Sequence, residues 1–215
     1  MENPLCAGAD DAGLRLIETV LWDGAACPRL RLHLARLQAG AAALGWGCDT
    51  GAAAAALTAP PGARARLRLT LDRAGAVKVT RAPLPPSPAQ WRLGLATARL
   101  RSTDPWLRIK STRRAAYDTA RATMPAGLDE LLFLNERDEV CDGTITTLFF
   151  DRGAGLRTPP LSCGLLPGVL RAELLESAAC HEQILPVSDL PHVRLWVGNA
   201  LRGLMPAIWC GATPA

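Results

Sequence analysis

Only two of the 24 basic residues are lysines, Lys78 and Lys110, and the second follows Leu107 and Ile109 in a short apolar stretch. An amine drawn into such surroundings loses its preference for the charged form, because desolvation penalises ammonium. A neutral amine attacks an aldehyde to form a Schiff base. Lys78 lies in a segment that reads as a strand, with its side chain toward solvent. Polar residues follow directly on apolar strands at three places: Ile109-Lys110-Ser111-Thr112, Asp142-Gly143-Thr144-Ile145-Thr146-Thr147 and Gly198-Asn199-Ala200-Leu201. Functional groups are often displayed where a strand ends in a loop. Turn chemistry with satisfied hydroxyls is the plainer reading of each segment alone.

The elements that must position these residues are legible as patterns. Gly13 to Trp22 mixes β-branched and large apolar residues and reads as a strand. Leu30 to Trp46 spaces Leu30, Leu34, Leu37, Ala41 and Leu44 by threes and fours, an amphipathic helix closed by Gly45. Ala52 to Leu57 suggests a short helix. Arg64 to Leu71 alternates polar and apolar residues as a half-exposed strand does, and Val77 to Thr80 returns as its hairpin partner. Ala82 to Pro88 holds four prolines in seven residues, which continue neither a helix nor a central strand, and is read as a linker. Beyond it, strands are expected at Trp91–Thr97, Glu130–Leu134, Ile145–Phe150 and Val193–Val197. Helices are expected over 112–124 and from Leu166-Pro167-Gly168-Val169 to about Ala179, the proline standing near the first turn. Interleaved strands and helices give an α/β or α+β class. Domain bounds of 1–81 for a small N-terminal lobe, 82–90 for the linker and 91–215 for a larger lobe carrying Lys110 follow.

Composition narrows the function classes. A chain of 215 residues, 49% hydrophobic and of net charge +4, is long and apolar enough for a sizeable core. Its arginines are scattered among acids, unlike the single basic face of a nucleic-acid binder, so no nucleic-acid partner is expected. The seven cysteines lie at least 17 residues apart, which leaves no C-x-x-C redox or zinc motif, and the three histidines are dispersed, so no metal is expected. The start lacks a basic region followed by an apolar one, and the longest alanine run is too short for a bilayer. A reducing cytoplasm and no membrane partner are therefore expected.

Seven segments in order resemble the class IV aminotransferase family, the fold-type-IV pyridoxal-phosphate enzymes. They are Leu16-Ile17-Glu18-Thr19, His33-Leu34-Ala35-Arg36-Leu37, Ile109-Lys110, Asp129 to Asn135, Asp142 to Phe149, Gly168-Val169-Leu170-Arg171 and Gly198-Asn199-Ala200-Leu201. The resemblance runs from about residue 13 to about 208. It implies an α+β, two-lobed fold with a larger C-terminal pseudo-barrel lobe, pyridoxal 5'-phosphate as cofactor, and a homodimer. It also implies roles: Lys110 as the Schiff-base lysine, and Asp142 as the carboxylate facing the pyridine nitrogen. Arg36 and the turn at Gly168, Val169 and Leu170 would take the phosphate, with Thr146 and Asn199 as further polar contacts. The sequence departs from the family pattern in several ways. Asp142 replaces a glutamate, Leu170 stands where a threonine is usual, and Thr147 replaces an asparagine. The only tyrosine, Tyr117, lies seven residues after the lysine, and the leading strand region is short.

The segment Gly198 to Pro206 resembles the Asn-Ala-Leu…Met-Pro pattern of the family's 4-amino-4-deoxychorismate lyases, as does Asp104-Pro105-Trp106-Leu107 before the lysine. That resemblance implies formation of 4-aminobenzoate and pyruvate, a step of folate biosynthesis, with Arg113, Arg114 and Arg202 as candidate clamps for a substrate carboxylate. A branched-chain or D-amino-acid aminotransferase, and a cofactor-binding homologue of weakened or lost activity, stand as alternatives.

Overall fold

The computed structural model describes residues 5–211, which divide into two compact units. The first comprises the described residues up to Pro86 together with Arg108–Arg113; the second comprises Ser87–Leu107 and the described residues from Arg114 onward. The proline-rich stretch thus runs across the change of unit. Arg108–Arg113, with Lys110, groups with the first unit and not with the 91–215 segment to which the sequence assigns it.

In the first unit a short helix, α1 (Cys6–Ala9), precedes β1 (Leu16–Trp22), α2 (Leu30–Leu44), α3 (Thr50–Ala56), β2 (Ala65–Leu71) and β3 (Val77–Ala82). The strands form an antiparallel sheet in the order β1-β2-β3. Leu67, Leu69 and Leu71 point into the core and Arg68 to solvent, as the alternation requires. Gly45 closes α2 in the left-handed conformation at φ 69°, which a glycine adopts without steric penalty. Gly40 lets α2 lie close on its neighbours: a Cβ there would come 3.4 Å from Leu16 and 3.8 Å from Ile109. The outer edge of β1 is occupied by the returning segment, where the Ile17 amide donates to the Lys110 carbonyl at 2.9 Å and the Thr112 amide to the Arg15 carbonyl at 2.8 Å.

The second unit contains β4 (Trp91–Leu100), α4 (Ala115–Ala122), β5 (Glu130–Asn135), β6 (Val140–Gly143), β7 (Thr147–Asp151), β8 (Arg157–Thr158), α5 (Val169–Glu176), β9 (His181–Glu182), β10 (Arg194–Asn199) and β11 (Gly203–Trp209). Its eight strands run in the order β6-β5-β4-β11-β10-β7-β8-β9, parallel at β5-β4-β11 and β8-β9 and antiparallel elsewhere. β5 is buried along its whole length because both faces are covered: Leu132 and Leu134 join a core with Trp91, Phe150 and Val197, while Leu131 and Phe133 join one with Leu107, Cys141 and Leu165. α5 packs Leu170 and Leu174 against Phe149 and Trp196. The mixed α+β class holds, and among the described residues no helix is long and apolar enough to cross a membrane.

Several elements differ from expectation. The helix expected from residue 112 begins at Ala115, because residues 110–112 are bonded along β1. The strand expected from Ile145 begins at Thr147, because the Gly143 amide closes a turn onto the Thr146 carbonyl at 2.8 Å. β6 and β11 were not expected; β6 is four residues long, and β11, though continuous, begins at a glycine and carries Pro206, so neither shows a clear alternation in sequence.

Candidate active site

In the first unit, β1 and α2 bring three polar side chains together beneath the surface. Glu18 is 2% exposed, in a strand whose other residues are apolar except for Thr19. Arg36 grips it with both edge nitrogens, Nε to Oε1 at 2.8 Å and Nη2 to Oε2 at 2.7 Å. His33 Nδ1 meets Oε2 at 2.6 Å, and since an ionised carboxylate only accepts, Nδ1 carries the hydrogen. Burial alone would raise the Glu18 carboxyl, but the charge of Arg36 and the hydrogen bonds from His33 and Arg36 outweigh it and hold it at about 2. Lys110 is half-buried, with Ile109 and Ser111 buried on either side of it. Its backbone is fixed against β1, so the root of its side chain is set by a strand and not by a free loop.

In the second unit, Asp142 is the last residue but one of β6 and is 6% exposed. The loop that follows is shaped by Glu130, a fully buried carboxylate at the start of β5. Its oxygens accept from the Thr144 amide at 3.0 Å, the Ile145 amide at 3.2 Å, the Thr146 hydroxyl at 2.8 Å and the Thr144 hydroxyl. Arg121 stands 3.6 Å away as a counter-charge. Because the Thr146 hydroxyl hydrogen is spent on Glu130, that hydroxyl meets any further group as an acceptor.

The turn at Gly168 closes on this loop. The Leu166 amide points at Asp142 Oδ2 across 3.4 Å, and a Cβ at Gly168 would lie 2.7 Å from the Thr147 hydroxyl. Gly168 caps α5 with no side-chain hydrogen bond and no acid in the first turn, leaving the first amides of the helix to an anion. The Leu170 side chain is turned into the core, so only its backbone faces outward chemistry. At the end of β10, Asn199 accepts from the Leu201 and Arg202 amides at 3.1 and 3.0 Å and donates to the Ile145 carbonyl at 3.2 Å. The loop after Asp142, the turn at Gly168 and the Asn199 turn are thus in mutual contact.

Of the arginines singled out by sequence, Arg114 is committed to Asp118 at 2.7 Å and to the Thr144 carbonyl at 3.0 Å. Arg113 is exposed, and Arg202 lies over the Trp91 ring at 5.7 Å. Tyr117 packs edge-on against Phe133 with centroids 4.9 Å apart. Burial, then the nearby charge of Asp142, pushes its phenol well above the usual range, so it stays protonated. Glu18, His33 and Glu130 were given no role from sequence. The available signal was an acid inside an apolar strand, which must find a partner when buried.

The profile of the family described as amino-transferase class IV matches residues 15–208. Among solved structures, a Mesorhizobium loti protein provisionally named an amino-acid aminotransferase is 44% identical, over 91% of this chain and 99% of that one, with a TM-score of 0.85. The 4-amino-4-deoxychorismate lyase of Pseudomonas aeruginosa is similar in fold at 24% identity, covering 92% of this chain and 83% of that one, with a TM-score of 0.77. A hypothetical aminotransferase of Mycobacterium tuberculosis, in a PLP-bound form, shares 21% identity over 93% of this chain and 84% of its own, with a TM-score of 0.77. No curated protein matches the chain.

Proposed function

The chain belongs to the class IV aminotransferase family, whose enzymes depend on pyridoxal phosphate, and we propose that it is a lyase converting 4-amino-4-deoxychorismate to 4-aminobenzoate and pyruvate. The donor set fits the cofactor. A helix start with uncapped amides and no acid in its first turn suits a phosphate, and a buried aspartate beside it suits a pyridinium nitrogen. When bound, the cofactor supplies an electron sink for the carbon that bears the substrate's amino group.

Lys110 is the catalytic amine in this reading: it would hold the cofactor at rest and, once the substrate's own amine has displaced it, would take the proton from the amine-bearing ring carbon. The ether bond to the enolpyruvyl group breaks, pyruvate departs after taking up a proton, and the ring becomes aromatic. Asp142 would keep a proton on the pyridine nitrogen. By the family resemblance, the residues that would hold the phosphate are Arg36 and the amides of Gly168, Val169 and Leu170, with Thr146 and Asn199 as further polar contacts. Arg113, Arg114 and Arg202 are the candidates to meet a substrate carboxylate, Arg114 from a position where it also holds Asp118 and the Thr144 carbonyl.

The observation that carries the lyase reading is the Asn199 hydrogen bond to the Ile145 carbonyl, which joins the lyase-like Asn-Ala-Leu segment to the Asp142 loop. Incubation with 4-amino-4-deoxychorismate should release 4-aminobenzoate, read by its fluorescence, in a Lys110-dependent way. The relative that is 44% identical favours a second reading, an aminotransferase acting on a small amino acid. Release of a keto acid from an amino acid, with no 4-aminobenzoate from the chorismate derivative, would select that reading instead.

A further inference from the structure

We propose that the Thr147 hydroxyl is a further ligand of the cofactor phosphate, supplying from β7 the hydroxyl contact that Leu170 does not give. This rests on the reading of the turn at Gly168 as the phosphate site. Thr147 is 5% exposed and is the first residue of β7, in the same unit as α5. Its hydroxyl lies 2.7 Å from the point where a Cβ on Gly168 would stand, so it is aimed at the start of that helix.

Hydrogen bonding sets Thr147 apart from its neighbours Thr144 and Thr146. Both of those hydroxyls donate to the buried Glu130, so each meets any further group as an acceptor. Thr144 already accepts from Arg121 at 2.9 Å. Among the described residues the Thr147 hydroxyl has no hydrogen-bond partner, so its hydrogen remains to be donated. It does not cap α5, whose start receives no side-chain hydrogen bond. A buried hydroxyl without a partner costs stability, which calls for a partner that arrives from outside the chain.

Gly168 marks the same space independently. Its φ of −64° and ψ of 139° suit any residue, so the backbone does not call for glycine there. Contact does: a Cβ would stand 2.7 Å from the Thr147 hydroxyl and 3.8 Å from the Thr147 Cβ. The groups that converge on this space are donors, the hydroxyl and the first amides of α5, with no acid in the first turn of the helix. A phosphate dianion accepts from several donors at once, and hydrogen bonds to a charged acceptor are the stronger kind. A water molecule would bring two hydrogens of its own to place.

The experiment strips the cofactor from the protein and titrates pyridoxal phosphate and, separately, pyridoxal, which lacks the phosphate, following visible absorbance. Thermal unfolding of each stripped variant, with and without inorganic phosphate, reads the site with no cofactor present. Thr147→Val keeps the shape and removes the hydroxyl; Thr147→Ser keeps the hydroxyl. Thr147→Val is expected to weaken pyridoxal phosphate binding by about tenfold or more, the loss of one hydrogen bond to a charged group. It should leave pyridoxal binding unchanged and shrink the rise in melting temperature that inorganic phosphate gives. Its stripped form should melt no lower than the parent, because a methyl group has replaced an unpartnered hydroxyl. Thr147→Ser should bind both ligands as the parent does, and Gly168→Ala, which fills the space, should weaken pyridoxal phosphate more than pyridoxal. Unchanged pyridoxal phosphate binding in Thr147→Val, in a parent that prefers it to pyridoxal, would overturn the role of Thr147 alone. A Thr147→Val that melts lower and loses both ligands equally would make the hydroxyl structural and overturn that role too. A parent that binds the two ligands equally would overturn the phosphate site at Gly168 on which the proposal stands. Should Thr147→Val fail to fold, Thr147→Ala, which also lacks the hydroxyl, decides the matter.

Discussion

Gly143 and Glu130 stand so close that a Cβ on the glycine would lie 2.9 Å from the glutamate Oε2, and 2.6 Å from the Thr146 hydroxyl. The glutamate can therefore gather the hydrogen bonds of Thr144, Ile145 and Thr146 only because residue 143 has no side chain. Gly143→Ala is expected to destabilise the protein by about 1–3 kcal/mol, the usual range for forced overpacking. It should also lower cofactor occupancy, because the loop carries Asp142. Gly47→Ala, where an added Cβ meets nothing within 4 Å, is the matched control and should change neither. Denaturant unfolding and visible absorbance on the same samples would check both.

Lys110→Ala is expected to abolish turnover and the visible absorption of the cofactor complex while leaving the fold intact. The segment is held to β1 by its backbone, through the Ile17 amide and the Lys110 carbonyl, so removing the side chain leaves these bonds in place. Lys78→Ala, at an exposed position of β3, should leave activity and spectrum unchanged. A visible band that survives in Lys110→Ala would remove Lys110 from its assigned role.

Much of the scaffold was legible because its cause is local. The threes-and-fours spacing of Leu30 to Leu44 and the glycine after it fix α2, and the Arg-Leu alternation fixes β2. Lys110, Asp142 and Asn199 stand out in sequence as polar residues that follow apolar segments, and Asp142 and Asn199 lie in the last two residues of β6 and β10. The carboxylates that shape these segments were harder to find, because their meaning lies across the sheet. Glu18 acquires its partners from a helix 15 and 18 residues away, and Glu130 from a loop 14 to 16 residues on. β6 was hidden because Val140–Gly143 is too short for a period, and residues 112–114 read as helix from sequence because nothing local reveals that Thr112 is bonded to Arg15, far upstream.

Leu170→Thr would restore the hydroxyl usual at this position, and the structure gives a reason for expecting it to harm the protein. The Leu170 side chain is 3% exposed and packs on Phe149, Cys180 and Trp196, while a Cβ at Gly198 would come within 2.7 Å of its Cδ2. A shorter, polar side chain here leaves a cavity and a hydroxyl in apolar surroundings, so a loss of about 2–4 kcal/mol is expected. Cofactor binding per folded molecule should survive, because the backbone amide of residue 170 is unchanged. Chemical denaturation with parallel cofactor titration separates the two effects.

The buried pair of Glu18 and Arg36 also fixes a pH dependence. The Glu18 carboxyl lies at about 2 in the folded chain against an ordinary value of 4.5, so the unfolded chain takes up its proton first as the pH falls. The stability this group contributes is therefore complete above pH 4.5 and is lost progressively as the pH drops toward 2. Within that window one proton separates the two states, which gives a slope of up to about 1.4 kcal/mol per pH unit from this residue. Glu18→Gln cannot titrate there, so its stability should fall less steeply with acid than that of the parent, although it starts lower at neutral pH. Urea unfolding of the two proteins at intervals between pH 5 and pH 2.5 measures the difference in slope, and parallel curves would mean that Glu18 is not the carboxylate responsible.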